Sequence, residues 1–329
     1  MRLELVEQEA EFRALEPEWW DLWARTPSAT PFQSPAWLIP WWQAFHPGRL
    51  NVLAVWDAER LAGLAPFYIE GRRALPIGIS LSDYLDVLID PQRFDEAAPL
   101  LSEGIEECLA SGLEEWEMPD LDAQAQAHAL QPDAMIESHP AEISPVLRIP
   151  KRRRMAAIVP QPKLRKLRMA RHRADRAGGY EIERCREPSF CEIFAALADM
   201  HAARWREHGV LADDRVCEFH LESLPRLDRA GLLRLLVCRI GGRLAGIYHG
   251  LAARRCAYAY LSGFDPAFAF FSPGTLLIGA AIEDAIEGGA EEFHFLRGNE
   301  TYKYEWGARE QRNIRRVFRP ALVRSLALR

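Results

Sequence analysis

Leu235–Leu251 reads LLVCRIGGRLAGIYHGL, and the chain then runs through Asp265-Pro266, a helical stretch to about Gly288, and GAEEFHF (Gly289–Phe295). Gly241-Gly242 between two apolar runs is a hairpin signal. Strands joined by tight turns are antiparallel, whereas a strand–helix–strand connection of this length favours parallel pairing. The stretch therefore predicts an α/β unit with a mixed sheet, antiparallel first and parallel after the helix. Much the same pattern occurs earlier. VLAVWDAERLAGLAPFY (Val52–Tyr68) leads to Asp90-Pro91, a helix to about Ala110, and GLEEWEM (Gly112–Met118). Arg-Leu-Ala-Gly recurs at Arg60–Gly63 and Arg243–Gly246, 183 residues apart; Asp-Pro recurs 175 apart and Gly-x-Glu-Glu-aromatic 177 apart. Three matches in one order at a nearly constant offset predict a duplicated unit.

Size and composition fit two domains. The chain has 329 residues, of which 49% are aliphatic, aromatic or cysteine, enough for two full cores. It contains no apolar run long enough for a membrane span. The N-terminus is acidic (Glu4, Glu7, Glu9, Glu11) and lacks the pattern of a signal peptide. The six cysteines show no CxxC and no tight spacing, which predicts buried thiols in a reducing cytoplasm. No HExxH and no His/Cys cluster is present, so no metal is expected, and neither a Gly-x-Ser-x-Gly elbow nor a Walker loop occurs.

Charge divides the chain. Residues 1–150 carry 9 basic and 26 acidic side chains, a net of −17, and residues 151–329 carry 32 and 21, a net of +11. Lys151–Arg176 holds 11 Lys or Arg against one Asp. That stretch reads either as a solvated linker helix or as a platform for a phosphorylated or polyanionic ligand such as tRNA. No helix-turn-helix pattern supports DNA binding. The predicted domains are 1–150 and 180–329, joined by a basic linker helix over 151–179.

Around the repeats, 9–24 and 34–46 read as two tryptophan-rich helices, the second opened by Ser34 as cap and Pro35 in the first turn. Their Trp stripes read as core. Strands are predicted at 50–56, 61–70, 84–89 and 114–118, with a helix at 94–111 between the last two. In the second half a basic helix spans Pro162–Ala177. Strands follow at 180–185, 232–240, 243–252, 255–262 and 291–296, with helices at 189–208, 214–229 and 273–287. A last strand falls near 312–319.

The segment richest in chemistry is FDPAFAFFSPGTLLIGAAIEDAI (Phe264–Ile286). Ser272 is a candidate cap, Pro273 fits the first turn, Gly274 permits close approach, and Thr275 adds a hydroxyl. Free N–H groups and the helix dipole make such a start an anion site; ordinary capping is the alternative reading. The equivalent helix of the first half begins Phe94-Asp95-Glu96, whose carboxylates would repel a phosphate. His249 has an intrinsic pKa suited to a general base, though a lone strand histidine also serves packing.

Together these segments resemble the tandem GNAT N-acyltransferases of the FemAB-like and CelD-like type. The residues that carry the resemblance are Phe32-Gln33-Ser34-Pro35-x-Trp37, Ser82-Asp83-Tyr84-x-Asp86, His201-x-x-Arg204-Trp205 with Gly209, Ser272-Pro273-Gly274-Thr275, and Leu296-Arg297-Gly298-x-Glu300-x-Tyr302-Lys303-x-x-Trp306-Gly307. The Arg/Gln-x-x-Gly-x-Gly/Ala pyrophosphate loop of ordinary GNAT enzymes is absent. The resemblance implies acyl transfer to an amine without a covalent intermediate, with acyl-CoA as a co-substrate rather than a tightly bound cofactor. It implies a first domain on the acceptor side and a second that binds the donor. Leu261, Ser262 and Ser272–Thr275 would hold the donor. Tyr302 would protonate the departing thiolate, Lys303 would serve developing negative charge, and Arg297 would line the site. Asp83, Tyr84 and Asp86 would contact a small amine acceptor, and Arg204-Trp205 would line the acyl or acceptor pocket. Two alternatives follow from the same resemblance: an aminoacyl-tRNA-dependent peptidyltransferase, or a non-catalytic factor in polysaccharide biosynthesis or export. The oligomeric state is not legible.

Overall fold

The computed structural model describes residues 1–151, 154–205 and 209–321, without the side chains of Arg204 and Trp205. It divides into two compact units: Met1–Glu142 together with the segment from Arg312 onward, and Ile143–Gln311.

The first unit begins with β1 (Arg2–Val6), α1 (Glu9–Ala14), α2 (Glu16–Arg25) and α3 (Pro35–Phe45). The predicted helix 9–24 is thus two helices, broken at Leu15. The tryptophans are core: Trp19, Trp23, Trp37, Trp41 and Trp42 are buried. Three of the indole N–H groups find partners: Trp19 donates to Gln33 O (2.9 Å), Trp23 to Thr30 O (2.8 Å) and Trp37 to Ser82 Oγ (2.9 Å), whereas buried Trp42 Nε1 makes no hydrogen bond to a described residue. Ser34 does not cap α3, because its hydroxyl donates back to Pro31 O at 2.7 Å. Next come β2 (Arg49–Asp57), β3 (Arg60–Glu70), β4 (Arg73–Pro76), β5 (Leu88–Ile89), α4 (Phe94–Ala110), β6 (Glu115–Leu121) and β7 (Ala134–Ile143). β2–β3–β4 is antiparallel and β4 pairs with β6 in parallel, the mixed order expected. The predicted strand 84–89 shrinks to β5, paired with β3 at Gly63 and Leu64.

The second unit holds β8 (Val146–Arg148), α5 (Met155–Ile158), α6 (Gln161–Arg176), β9 (Tyr180–Arg184), α7 (Phe190–Trp205), α8 (Asp214–Arg229), β10 (Leu233–Ile240), β11 (Arg243–Ala253), β12 (Cys256–Phe264), α9 (Pro273–Glu287), β13 (Glu292–His294) and α10 (Thr301–Glu305). Its sheet runs β8-β13-β12-β11-β10-β9, with β12–β13 the parallel pair. The C-terminal strand β14 (Arg312–Pro320) belongs to the first sheet, whose path is β1-β2-β3-β4-β6-β14-β7.

Strand membership therefore departs from the boundaries expected at 150 and 180. Short β8 pairs with β13, and β14, expected in the second domain, pairs with β6. In each sheet the parallel strand's other edge is covered by a strand from across the expected boundary, β8 beside β13 and β14 beside β6. The basic segment is likewise not a solvated linker: Leu167, Ala170 and Ala174 of α6 are buried in the second core against α9.

The repeats coincide in structure. In each hairpin the register slips by one residue inside Leu-Ala-Gly: Gly63 faces Val55 and Leu61 faces Trp56, while Gly246 faces Cys238 and Leu244 faces Arg239. Ala62 and Ala245 are the extra residues of two matching bulges. A Cβ at Gly63 would meet Leu101 of α4 at 3.4 Å, and one at Gly246 would meet Leu277 of α9 at 3.0 Å, so both glycines let the following helix settle on its hairpin. Asp90 and Asp265 also match, each accepting from the backbone N–H two residues on, Gln92 (2.9 Å) and Ala267 (2.8 Å).

Candidate active site

The second sheet is forked. β12 pairs with β13 only over Cys256–Tyr258, opposite Glu292–His294, and then continues alone on that side to Phe264. Beyond His294 the chain leaves at Phe295 through Leu296, which sits in the left-handed region at φ 60°, and Gly298 at φ 111°. β12 also carries a bulge where it faces β11: His249 opposes Leu261 and Gly250 opposes Ala259, which leaves Tyr260 as the extra residue. Ala259, Tyr260 and Leu261 are consequently half-buried, and Ser262 is exposed, in a strand that otherwise runs through the middle of a sheet. A strand with an open edge offers main-chain donors and acceptors to a ligand.

The limbs of this fork bring together much of the predicted donor site. Leu261 and Ser262 lie on β12, which feeds through a 3-10 segment (Pro266–Phe271) into α9. Pro273, Gly274 and Thr275 form the first turn of that helix, and it holds no acidic residue. Ser272 departs from expectation. It occupies the left-handed region (φ 56°, ψ 57°) and its side chain makes no capping bond. Its carbonyl instead accepts from Thr275 N (2.9 Å) and Leu276 N (3.2 Å), and Pro273 has no N–H, so Gly274 offers the first-turn donor for an anion. A Cβ at Gly274 would meet nothing closer than Phe264 Cδ1 at 3.9 Å.

The other limb carries Arg297, Tyr302 and Lys303. Lys303 is buried, and its ammonium donates to Leu296 O (3.0 Å), Arg297 O (2.6 Å) and Gly298 O (3.2 Å) while pairing with Glu300 (2.9 Å). An ammonium has three donors, and these are committed to the turn. Lys303 is therefore a clamp on the Leu296–Gly298 turn rather than a cation free to meet developing charge. Glu300 pairs with Lys303, and Arg297 is half-buried. Tyr302 is 45% exposed, with its ring 6.3 Å from that of Phe295. Burial, with Asp284 and Tyr302 nearby, pushes the hydroxyl of Tyr248 up.

His249 is not placed as a base. It is fully buried, with neither ring nitrogen hydrogen-bonded, and burial pushes its imidazole down to about 3. It packs edge-on against His220 of α8 (5.5 Å) and against Tyr260 (5.4 Å), behind the bulge.

The remaining predicted residues belong elsewhere. Asp83, Tyr84 and Asp86 lie in the first unit, and the first two are buried. Tyr84 is in the left-handed region (φ 53°), and its carbonyl accepts from Gln33 Nε2. Asp86 is a connector. Oδ1 accepts from Val87 N (2.8 Å) and Ala127 N (2.9 Å), and Oδ2 from Gln126 N (2.8 Å). Burial raises its carboxyl to about 7 against the lowering effect of those three bonds. The side chains of Arg204 and Trp205 lie outside the described residues.

Three features escaped the sequence. Phe270 is 66% exposed, with the Arg173 guanidinium 4.7 Å above its ring and Arg173 Nη1 donating to Phe270 O at 3.1 Å. Its signal was the run Phe268-Ala-Phe-Phe271 before the helix start. Bulged Tyr260 left none, since bulges depend on a partner strand. Cys256, Glu292 and His294 converge at the base of the fork from positions too far apart in sequence to read as a ligand set.

Comparison with known proteins agrees with this geometry. Residues 162–304, from α6 to α10, match the sequence model of a family described as "Acetyltransferase (GNAT) domain". The second unit carries a GNAT-type acetyltransferase domain. The match lies within the second unit; the structure as a whole has two mixed sheets flanked by helices. Among solved structures, FemX superposes with a TM-score of 0.66 at 12% identity, over 96% of this chain and 97% of that one. The C-terminal DUF2156 domain of a protein described as a lysylphosphatidylglycerol synthetase from Agrobacterium fabrum gives 0.60 at 14%, over 94% and 92%. L-PGS from Bacillus licheniformis gives 0.57 at 12%, over 88% of each. At such identities the likeness is one of fold, and it extends across both units. No curated protein matches the sequence. Among the described residues, no helix is long and apolar enough to cross a membrane.

Proposed function

We propose that this GNAT-type protein moves an acetyl or longer acyl group from acyl-CoA to an amine of a sugar, amino acid or peptide, directly within a ternary complex. The observation that carries the reading is the open edge of β12 running into the acid-free start of α9. A pantetheine arm can pair with the main chain of Ala259–Ser262, and its pyrophosphate can meet Gly274 N–H and the helix dipole. Tyr302 is the acid for the departing thiolate, being exposed enough to reach it. Lys303 acts through the turn it clamps. Arg297, on the limb beside Tyr302, is the candidate for acceptor contact within the second unit.

Calorimetric titration with acetyl-CoA and longer acyl-CoAs, beside Gly274→Asp, tests this. The substitution has room for its side chain, so it acts by charge. Micromolar binding that is lost in the variant is the expected result; binding unchanged in Gly274→Asp refutes the site, and no binding of any acyl-CoA refutes the donor.

One observation favours aminoacyl-tRNA as the rival donor. On α6, Lys163 and Lys166 pair with Glu305, and Arg171 pairs with Glu283, whereas exposed Arg165, Arg168 and Arg176 make no ion pair with a described residue. Such a stripe suits a polyanion, and its binding would weaken steeply with salt where CoA binding would not. A synthetase named for a lysylated lipid shares the fold, which is compatible with that donor class.

A further inference from the structure

We propose that Cys256, Glu292 and His294 form a binding site for a zinc-type divalent cation at the base of the β12/β13 fork. In the parallel register Cys256 opposes Glu292 and Tyr258 opposes His294. Paired residues, and residues two apart, share a face of a sheet, so the three side chains emerge on one side from two adjacent strands. The thiol, one carboxylate oxygen and one imidazole nitrogen all lie within 4.8 Å of one another. Zinc ligation at about 2.0–2.3 Å needs these atoms to close by roughly 1 Å, which side-chain rotation supplies without moving either strand.

Sulfur, nitrogen and carboxylate oxygen together are a zinc or cobalt set rather than a magnesium or calcium one. The cluster also has an outer support. His294 Nε2 contacts Glu292 Oε2 at 2.9 Å, while Arg148 of β8 donates to the other oxygen, Oε1. A cation replaces the hydrogen between His294 and Oε2 and leaves Arg148 in place as an orienting partner of the ligating carboxylate. Binding releases the Cys256 thiol proton, and any proton shared by His294 and Glu292, to solvent; no electron is transferred. Cys256 and Glu292 are half-buried, so water can complete a tetrahedral shell. These are the last paired rungs before β12 and β13 part, so the ion would staple the strands where the donor site opens.

The test uses the full chain, stripped with chelator and titrated with Co²⁺. One equivalent producing thiolate-to-cobalt charge-transfer absorption, displaced by Zn²⁺ and accompanied by a higher melting temperature, is the expected result. Cys256→Ser should abolish the absorption while retaining the fold, and His294→Ala should weaken binding by more than about tenfold. Absence of the band, or a band that persists in Cys256→Ser and so reports another cysteine, overturns the site. Cobalt bound without a thiolate band does the same.

Discussion

The ammonium of Lys303 is held by three carbonyls of the Leu296–Gly298 turn. Tyr302-Lys303 stands out beside Leu296-Arg297-Gly298, and the resemblance assigns the lysine to developing charge. What decides its role is a main-chain turn: a left-handed Leu296 and a Gly298 at φ 111° aim three carbonyls at one point. No side-chain pattern announces carbonyl direction, so the clamp could not be read in advance. Lys303→Met keeps the aliphatic volume and leaves those carbonyls without their donor. Loss of a charged donor from buried acceptors should cost about 3 kcal/mol, read as a lower urea midpoint with an unchanged slope. A variant as stable as wild type would return Lys303 to the list of free catalytic cations.

The repeated elements were legible for a physical reason. Leu-Ala-Gly encodes a bulge and a helix seat at once, so Gly63 and Gly246 keep their sequence context as well as their packing. The surroundings of β11 were not, because one strand gives no sign of what covers it. α7 and α8 lie on this sheet, and α8 presents His220 to His249, with Phe194 and Phe219 around it. Burial holds both imidazoles below the ordinary value of 6.5, with the second histidine adding to the effect on His220. The unfolded chain therefore takes up protons that the folded one refuses. Their contribution to stability is complete above pH 6.5 and is lost as pH falls from there towards about 3. The expected slope is about 1.4 kcal/mol per pH unit for each histidine. Urea unfolding between pH 7.5 and 5 checks this, and His249→Phe should remove roughly half of the dependence. Equal slopes in the two proteins would mean that the pair is not held neutral.

At the scale of the molecule, sequence order and structural order part company. Reading the chain left to right divides it near 150 and 180, because α6 looks like a charged spacer and β14 follows directly on the second unit. The charged spacer has an apolar face, Leu167, Ala170 and Ala174, that closes the core over α9; even Gly279 is shaped to it, since a Cβ there would meet Leu167 Cδ1 at 2.9 Å. β8 has no sequence signature, because three residues, Val146–Arg148, carry no measurable alternation. β14 pairs with β6 and not with its sequence neighbours, since pairing partners are a property of space and not of adjacency. The consequence concerns which pieces can stand alone. A fragment 143–311 retains all six strands of its sheet and α6, so it should unfold cooperatively in urea. A fragment 180–329, cut where the sequence suggested, lacks β8 and α6 and carries β14 without β6. It leaves β13 as a three-residue edge and bares the apolar side of α9, which predicts aggregation or a molten state that binds hydrophobic dye. Cooperative unfolding of 180–329 with the midpoint of 143–311 would show that the exchanged strands are dispensable, and the sequence-order boundary would then be the physical one.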